Sequence, residues 1–264
     1  MDMITGLFRL FGWHMKLSVS RAMIYRFDFL TGLFISILVS GIAPLVQYLI
    51  FTQTRGYPGW TLGQILLFQG LLLLWFGIRD LLFGDLRGMV MNMVRKGEFD
   101  RLLLKPYPPI GVLLCSGFQL NGIGSCIAGI GVSIVAFRQL HLSIDFVTIA
   151  LFLIAIVAGV ILFMAVTVFY CAIVVLIVQM GRMSEMFDRI TDFGNYPSNI
   201  YPAILQTAMV TFLPFAIWTY YPAQILLHRV DSRLVIAAVS CVLIFWLSIK
   251  VWNRSLRNYT SAGG

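Results

Sequence analysis

Uncharged apolar runs close to the length of a bilayer crossing recur along the chain, separated by short stretches where charges, prolines and glycines gather. A hydrocarbon layer about 30 Å thick takes about 20 helical residues, so each run is read as one crossing. Six runs predict six transmembrane helices, at 29–51, 62–83, 110–137, 146–180, 200–219 and 234–252, in an all-α polytopic membrane protein forming a single domain over 1–264. The first contains Pro44, which a spanning helix tolerates because neighbours re-satisfy the freed carbonyl. The second is apolar until Arg79 and Asp80 near its far end. The fourth is long enough to tilt, the fifth is interrupted by Pro202 and Pro214, and the sixth places Lys250 where it can snorkel.

Smaller elements are expected between the runs. In 1–28, Thr5, Arg9, Gly12, Lys16 and Ser20 fall on one helical stripe opposite Ile4, Leu7, Phe8, Phe11 and Met15. That pattern predicts an amphipathic interfacial helix, either a plain anchor for the first span or a moving part. Its charges interrupt any h-region, so a cleavable signal is not expected. The most charged stretch is 85–109. Leu86, Met89, Val90 and Met93 share a helical face there, Gly97 can end that helix, and Pro106, Pro108 and Pro109 force a new start. Charge beside the Leu102 to Leu104 run suits docking into a partner's cleft, and it equally suits a solvated loop. In 181–196, Met183, Met186, Ile190 and Phe193 oppose Arg182, Glu185, Arg189 and Asp192, a helical extension of the fourth span that is either interfacial or a partner contact. On the outer side Trp218, Tyr220 and Tyr221 read as an aromatic belt. Pro222 opens a short helix through Leu227, a re-entrant or interfacial segment between spans five and six that is either a gate or a passive cap.

Composition strengthens the membrane reading. The 264 residues are 59% hydrophobic and 11% charged, whereas a soluble domain carries about 25% charged residues. A water-facing globule is excluded. The 19 Lys and Arg against 11 Asp and Glu give +8, which in a soluble protein points to nucleic acid. In a multi-span protein it reports orientation, because basic residues collect in cytoplasmic loops. Six spans put both termini on one side, and fifteen of the 19 basic residues fall there; only Arg55, Arg138, Arg229 and Arg233 fall on the other. The termini are therefore expected in the cytoplasm, and no nucleic-acid partner is expected.

Chemistry is mostly excluded. No Asp, Glu, Lys, Arg or His occupies the middle of a predicted span, which disfavours ion-coupled transport. No phosphate-cradling GxxxxGK loop followed by Ser or Thr occurs, so energy for uphill movement must come from another polypeptide. Cys115, Cys126, Cys171 and Cys241 lie in apolar runs without a CxxC partner and read as reduced, small hydrophobes. His14, His141 and His228 are scattered, and no metal site is expected. Ser116 is expected to lack a histidine at its depth, so no nucleophile is assigned. Gly117, Asn121, Ser125, Gly129 and Ser133 recur every four residues in the third span, a small polar stripe that either packs helices closely or lines a pathway.

The blocks GWTLGQILLFQGL, VRKGEFDRLLLKPYPP, FGNYPSNIYP, LPFAIWTYYPAQILL and RNYTSAGG occur in this order. Together they resemble the integral-membrane permeases of the second ABC export type, in its six-span bacterial branch of about 260 residues. The likeness extends over essentially the whole chain and is strongest at KGEFDRLLLKP, with departures at Val94 and Phe99. The resemblance implies that 85–109 holds a coupling helix for a separate ATPase, with Arg95, Lys96, Gly97, Glu98, Asp100, Leu103 and Pro106 as the contacts. It also implies two ATPase copies carrying ATP and Mg, no cofactor on this chain, a second permease that is identical or a sister, and a place in the bacterial inner membrane. Lack of buried charge favours an amphipathic or apolar substrate. The competing reading is a membrane scaffold that recruits a cytosolic partner without transport.

Overall fold

The computed structural model describes residues 3–54, 56–84, 86–177 and 183–259. Its helices are α1 (Met3–Ile24), α2 (Arg26–Gln53), α3 (Leu62–Phe83), α4 (Leu86–Arg95), α5 (Phe99–Leu103), α6 (Pro109–Ser116), α7 (Ile123–Leu140), α8 (Phe146–Leu176), α9 (Met183–Thr191), α10 (Ala203–Thr211), α11 (Tyr220–Leu226) and α12 (Arg233–Arg257). No strand occurs among the described residues. Helix α3 is the axis. A reciprocal cap starts it: Thr61 N–H donates to Gln64 Oε1 at 3.1 Å, and Gln64 N–H donates to Thr61 Oγ1 at 3.4 Å. Ile65, Leu67, Phe68 and Trp75 are buried all round it, as a helix with no polar face requires.

Glycines every seven residues bring α3 and α7 together. Gly63, Gly70, Gly77 and Gly84 meet Leu140, Ser133, Cys126 and Gln119 in turn, so each step of seven up one helix is a step of seven down the other. A Cβ on Gly77 would stand 2.6 Å from the Cys126 backbone nitrogen, and one on Gly129 would stand 2.7 Å from the Gly70 carbonyl. Backbones this close exclude any side chain at the contact. Helix α2 packs on the other flank of α7, with Ser40 and Ser125 hydroxyls 3.2 Å apart, and leaves most of its surface apolar and exposed. Asp145 caps α8 by accepting from the Thr148 N–H at 3.3 Å and from the Thr148 hydroxyl. Those bonds hold its carboxyl below the usual range. Helix α12 runs parallel to α8, its Ala237 and Cys241 with Ala155 and Leu162 and its Trp252 with Cys171 and Val175.

Several expected segments are built differently. Residues 110–137 are not one helix: α6 ends at Ser116, and a short 3₁₀ turn, Leu120–Gly122, precedes α7. The bend is held by Gln119 N–H donating to Leu81 O at 3.1 Å, with Gly117 and Gly122 against the α3 backbone. Helix α8 stops at Leu176, so α9 is a separate helix, while 178–182, including Arg182, lie outside the described residues.

Residues 200–219 are also discontinuous. Pro202 precedes α10, and Pro214 precedes a 3₁₀ turn, Phe215–Ile217, before α11. The chain instead returns along the bundle through α9 and 3₁₀ turns at Asp192–Asn195 and Ser198–Ile200. Arg87 pairs with Asp188 at one end, and Trp60 Nε1 donates to Asn199 Oδ1 at 2.9 Å at the other. From that Trp60 end α10 and α11 form a hairpin whose turn rests on Trp75 and Gly159, near the middles of α3 and α8. Trp218, Tyr221 and Ile217 are buried in the hairpin. The expected aromatic belt is thus core packing, and Pro222 is the third residue of α11, not its first.

Helix α1 lies along α6. Ser18 Oγ donates to Phe118 O at 3.2 Å, Phe11 meets Phe118 edge-on at 5.8 Å, and Gly6 fits beneath Tyr107. The packed face is therefore Leu7, Leu10, Phe11, His14 and Ser18, about one position round from the expected stripe; Phe8 and Met15 stay exposed.

Candidate docking surface at the arginine-rich end

Helix α4 is amphipathic, and its buried side is Leu86, Val90 and Val94. It ends where Gly97 takes a φ of +68°, with Gly97 N–H donating to Val94 O at 3.2 Å and Glu98 N–H to Met93 O at 2.9 Å. This is a Schellman stop, which glycine makes without strain. The chain then reverses into α5, whose Phe99 and Leu102 are buried beside Val94, Val112 and Trp252. Phe99 meets Trp252 at 6.2 Å and Tyr259 at 5.1 Å, both edge-on. The turn is thereby tied to the end of α12.

The outer side of this turn is the candidate surface. Arg95, Lys96, Glu98, Leu103 and Pro106 are exposed there, while Gly97 and Asp100 are half-buried. Sequence reading missed Phe99 and Leu102 as the anchors; of the Leu102 to Leu104 run it expected on the surface, Leu102 is buried and Leu104 is the most exposed apolar side chain of the turn at 84%. Only the three-residue spacing of Phe99 and Leu102 hinted at a buried face. A cationic rim around two exposed leucines offers a partner both steering charge and an apolar contact.

The polar stripe divides among neighbours. Gly117 lies on the Phe83 backbone, Gly129 and Ser133 face Gly70, Ser125 faces Ser40, and Asn121 donates to Gln119 Oε1 at 3.3 Å on an exposed flank. Ser116 does face a histidine, contrary to expectation, because α1 folds back on α6. His14 Nε2 is 3.4 Å from Ser116 Oγ. The serine hydroxyl donates to Val112 O at 2.7 Å instead, so the pair is not set for proton abstraction. Burial, then the charges of Lys105 and Arg21, lower the His14 pKa from its ordinary value.

On α9 the inward group is Phe187, edge-on to Tyr170 at 5.3 Å. Met186, Ile190 and Phe193 point outward. Arg87 Nη2 donates to Asp188 Oδ1 at 2.6 Å and joins α9 to α4.

Among the described residues, five helices long and apolar enough to cross a bilayer, packed with their small residues at the contacts, define a multi-pass helical membrane protein. Residues 37–263 match the family model of the ABC-2 family transporter proteins, and the chain belongs to that family. No curated protein and no solved structure matches it. Membership makes it a permease component of an ABC transporter, of a kind that works with an ATPase subunit.

Proposed function

We propose that this chain is the membrane-spanning subunit of an ABC exporter in the bacterial inner membrane. It docks a separate ATPase through 95–106 and moves an amphipathic or apolar substrate out of the cytoplasm or inner leaflet. The observation that carries this reading is the two-sided turn: Phe99 and Leu102 fixed against Trp252, and Arg95, Lys96, Leu103 and Leu104 presented outward. A load applied to the outer face passes through packed rings to α12, and packed interfaces transmit such shifts as rigid bodies.

The first helix and the segment after α12 both reach the docking end: Gly6 of α1 packs beneath Tyr107, and Tyr259 packs on Phe99. With the basic excess there, this supports termini in the cytoplasm. ATP and Mg bind the partner, two copies of which serve a pair of permeases, identical or sister. The re-entrant hairpin, α10 with α11, plugs the opposite end and opens when the bundle rearranges.

The test is to purify the full chain with a cognate ABC ATPase and compare Leu103→Asp and Arg95→Glu with the parent. Co-elution should fall by about ten-fold, the loss expected for a central contact, and ATP turnover of the complex should fall with it. Unchanged assembly and turnover would overturn the docking assignment. Assembly that gives no substrate-stimulated turnover would favour the scaffold reading.

A further inference from the structure

Where α3 gives way to α4 at Gly84, a crevice of about 60 Å³ opens between these helices and α8. Arg79, Asp80, Arg87 and Thr167 supply its polar lining, and Phe83 and Phe163 its walls. It lies outside the docking turn, and Gly84 is the one residue it shares with the glycine seam. The volume takes about four waters, and hence one phosphate-sized group.

The ionic groups are unevenly placed. Arg79 pairs with Asp80 at 2.8 Å and Arg87 with Asp188 at 2.6 Å, yet each carboxylate is the more exposed partner: 36% against 30%, and 53% against 23%. Both guanidiniums are also held by rings, Arg79 over Phe76 at 4.9 Å and Arg87 by Tyr170 at 6.0 Å. Such semi-exposed pairs are weak and exchange readily. The carboxylates can swing to water while the guanidiniums stay. At the base lies Thr167, 1% exposed, with a hydroxyl that has no hydrogen-bond partner. A buried hydroxyl without a partner is uncommon. Two forked cations and an unsatisfied hydroxyl around one small space match a tetrahedral oxyanion.

We propose that this crevice binds a phosphate group, that of an anionic lipid headgroup or the free anion, with Arg79 and Arg87 replacing their carboxylate partners by phosphate oxygens and Thr167 donating its hydroxyl. The assignment stands on the crevice alone and needs no ATPase, so its failure would leave the proposed transport function untouched.

The full chain in detergent micelles is titrated with phosphatidic acid and with phosphatidylcholine of the same acyl chains, and bound lipid is counted by native mass spectrometry. Phosphatidic acid should bind at least about ten-fold tighter, and Arg79→Gln with Arg87→Gln should remove that preference. Thr167→Val should weaken it several-fold; it leaves both ion pairs intact, so it serves even if the double variant fails to fold. Arg254→Gln with Arg257→Gln, exposed cations on α12 outside the crevice, should leave the preference unchanged. Two results overturn the site: a preference that survives in both crevice variants, or one lost equally when Arg254 and Arg257 are changed, which would mark diffuse charge. Inorganic phosphate that displaces the lipid, when chloride at equal ionic strength does not, assigns the site to the free anion. Phosphate without effect assigns it to the lipid. Either supports the crevice.

Discussion

The Trp218 ring stacks on Trp75 with centroids 5.5 Å apart and planes 15° from parallel. This pair joins the turn of the re-entrant hairpin to the middle of the axial helix. Trp218 also donates its indole N–H to the Gly159 carbonyl at 3.1 Å, in a place where both rings are buried. The hairpin is therefore fixed by one stacked contact and one directed bond.

Replacing Trp218 separates these two contributions. Trp218→Ala should cost about 3–5 kcal/mol, the usual loss for a buried aromatic. Trp218→Phe keeps most of the apolar area and forfeits the bond, and should cost about 1 kcal/mol. Thermal unfolding in micelles reads both. Equal losses would mean the indole N–H carries the whole contact.

The glycine seam gives a sharper contrast. Gly77→Val pushes a side chain onto the Cys126 and Gly122 backbones, at 2.6 and 2.8 Å from the Cβ alone, and backbone cannot move aside cheaply. Helices α3 and α7 should separate, and Cys126, now half-buried, should react faster with a maleimide. Gly131 has nothing within 4 Å of its Cβ position, so Gly131→Ala should be neutral or stabilising by less than about 1 kcal/mol. A Gly77→Val protein with parental Cys126 reactivity would contradict the seam.

Protonation of His14 should loosen α1. Its pKa is lowered in the fold by burial and then by Lys105 and Arg21, so the folded state holds its proton less tightly than the unfolded state. The neutral ring's contribution is fully present above the ordinary value of 6.5. It declines as pH falls below that value, because the unfolded chain takes up the proton first. The protection of α1 amides, their intrinsic exchange rate at each pH divided by the rate observed, should fall between about pH 6.5 and 5, and His14→Gln should flatten the change. Protection in α1 that stays constant over that range in the parent protein would refute it.

Legibility in the sequence followed how far local pattern decides structure. Helix α3 occupies 62–83 as hydropathy alone placed it, because Thr61 caps one end and Gly84 stops the other. The expected runs at 110–137 and 200–219 hid their breaks, since an average over apolar residues does not weigh Gly117, Gly122, Pro202 and Pro214. Tryptophan suits an interface and a core equally; Gly159, opposite Trp218, decided for the core, and nothing near Trp218 in the chain reveals Gly159. The four-residue stripe was visible as small residues, but a spacing of four drifts about 40° round the helix at each step. Ser125 consequently faces α2 while Gly129 and Ser133 face α3. At the docking turn the exposed charges were legible, and the anchors were not, because Phe99 and Leu102 are defined by Trp252 and Tyr259, at least 150 residues away.

Anchor and surface lie side by side within the one short helix α5. Phe99 is fully buried between Trp252 and Tyr259, whereas Leu103, four residues on, is 40% exposed. Phe99→Ala removes ring contacts and leaves a cavity, and should cost about 3–5 kcal/mol. Leu103→Ala gives up little buried area, so its unfolding should lie within about 0.5 kcal/mol of the parent. Binding should rank the two the other way per unit of stability lost: Leu103→Ala should weaken co-elution with the ATPase while the chain stays as stable as before. If Leu103→Ala instead unfolds the chain as readily as Phe99→Ala, the outer face of α5 is part of the core, and no partner is needed to explain it.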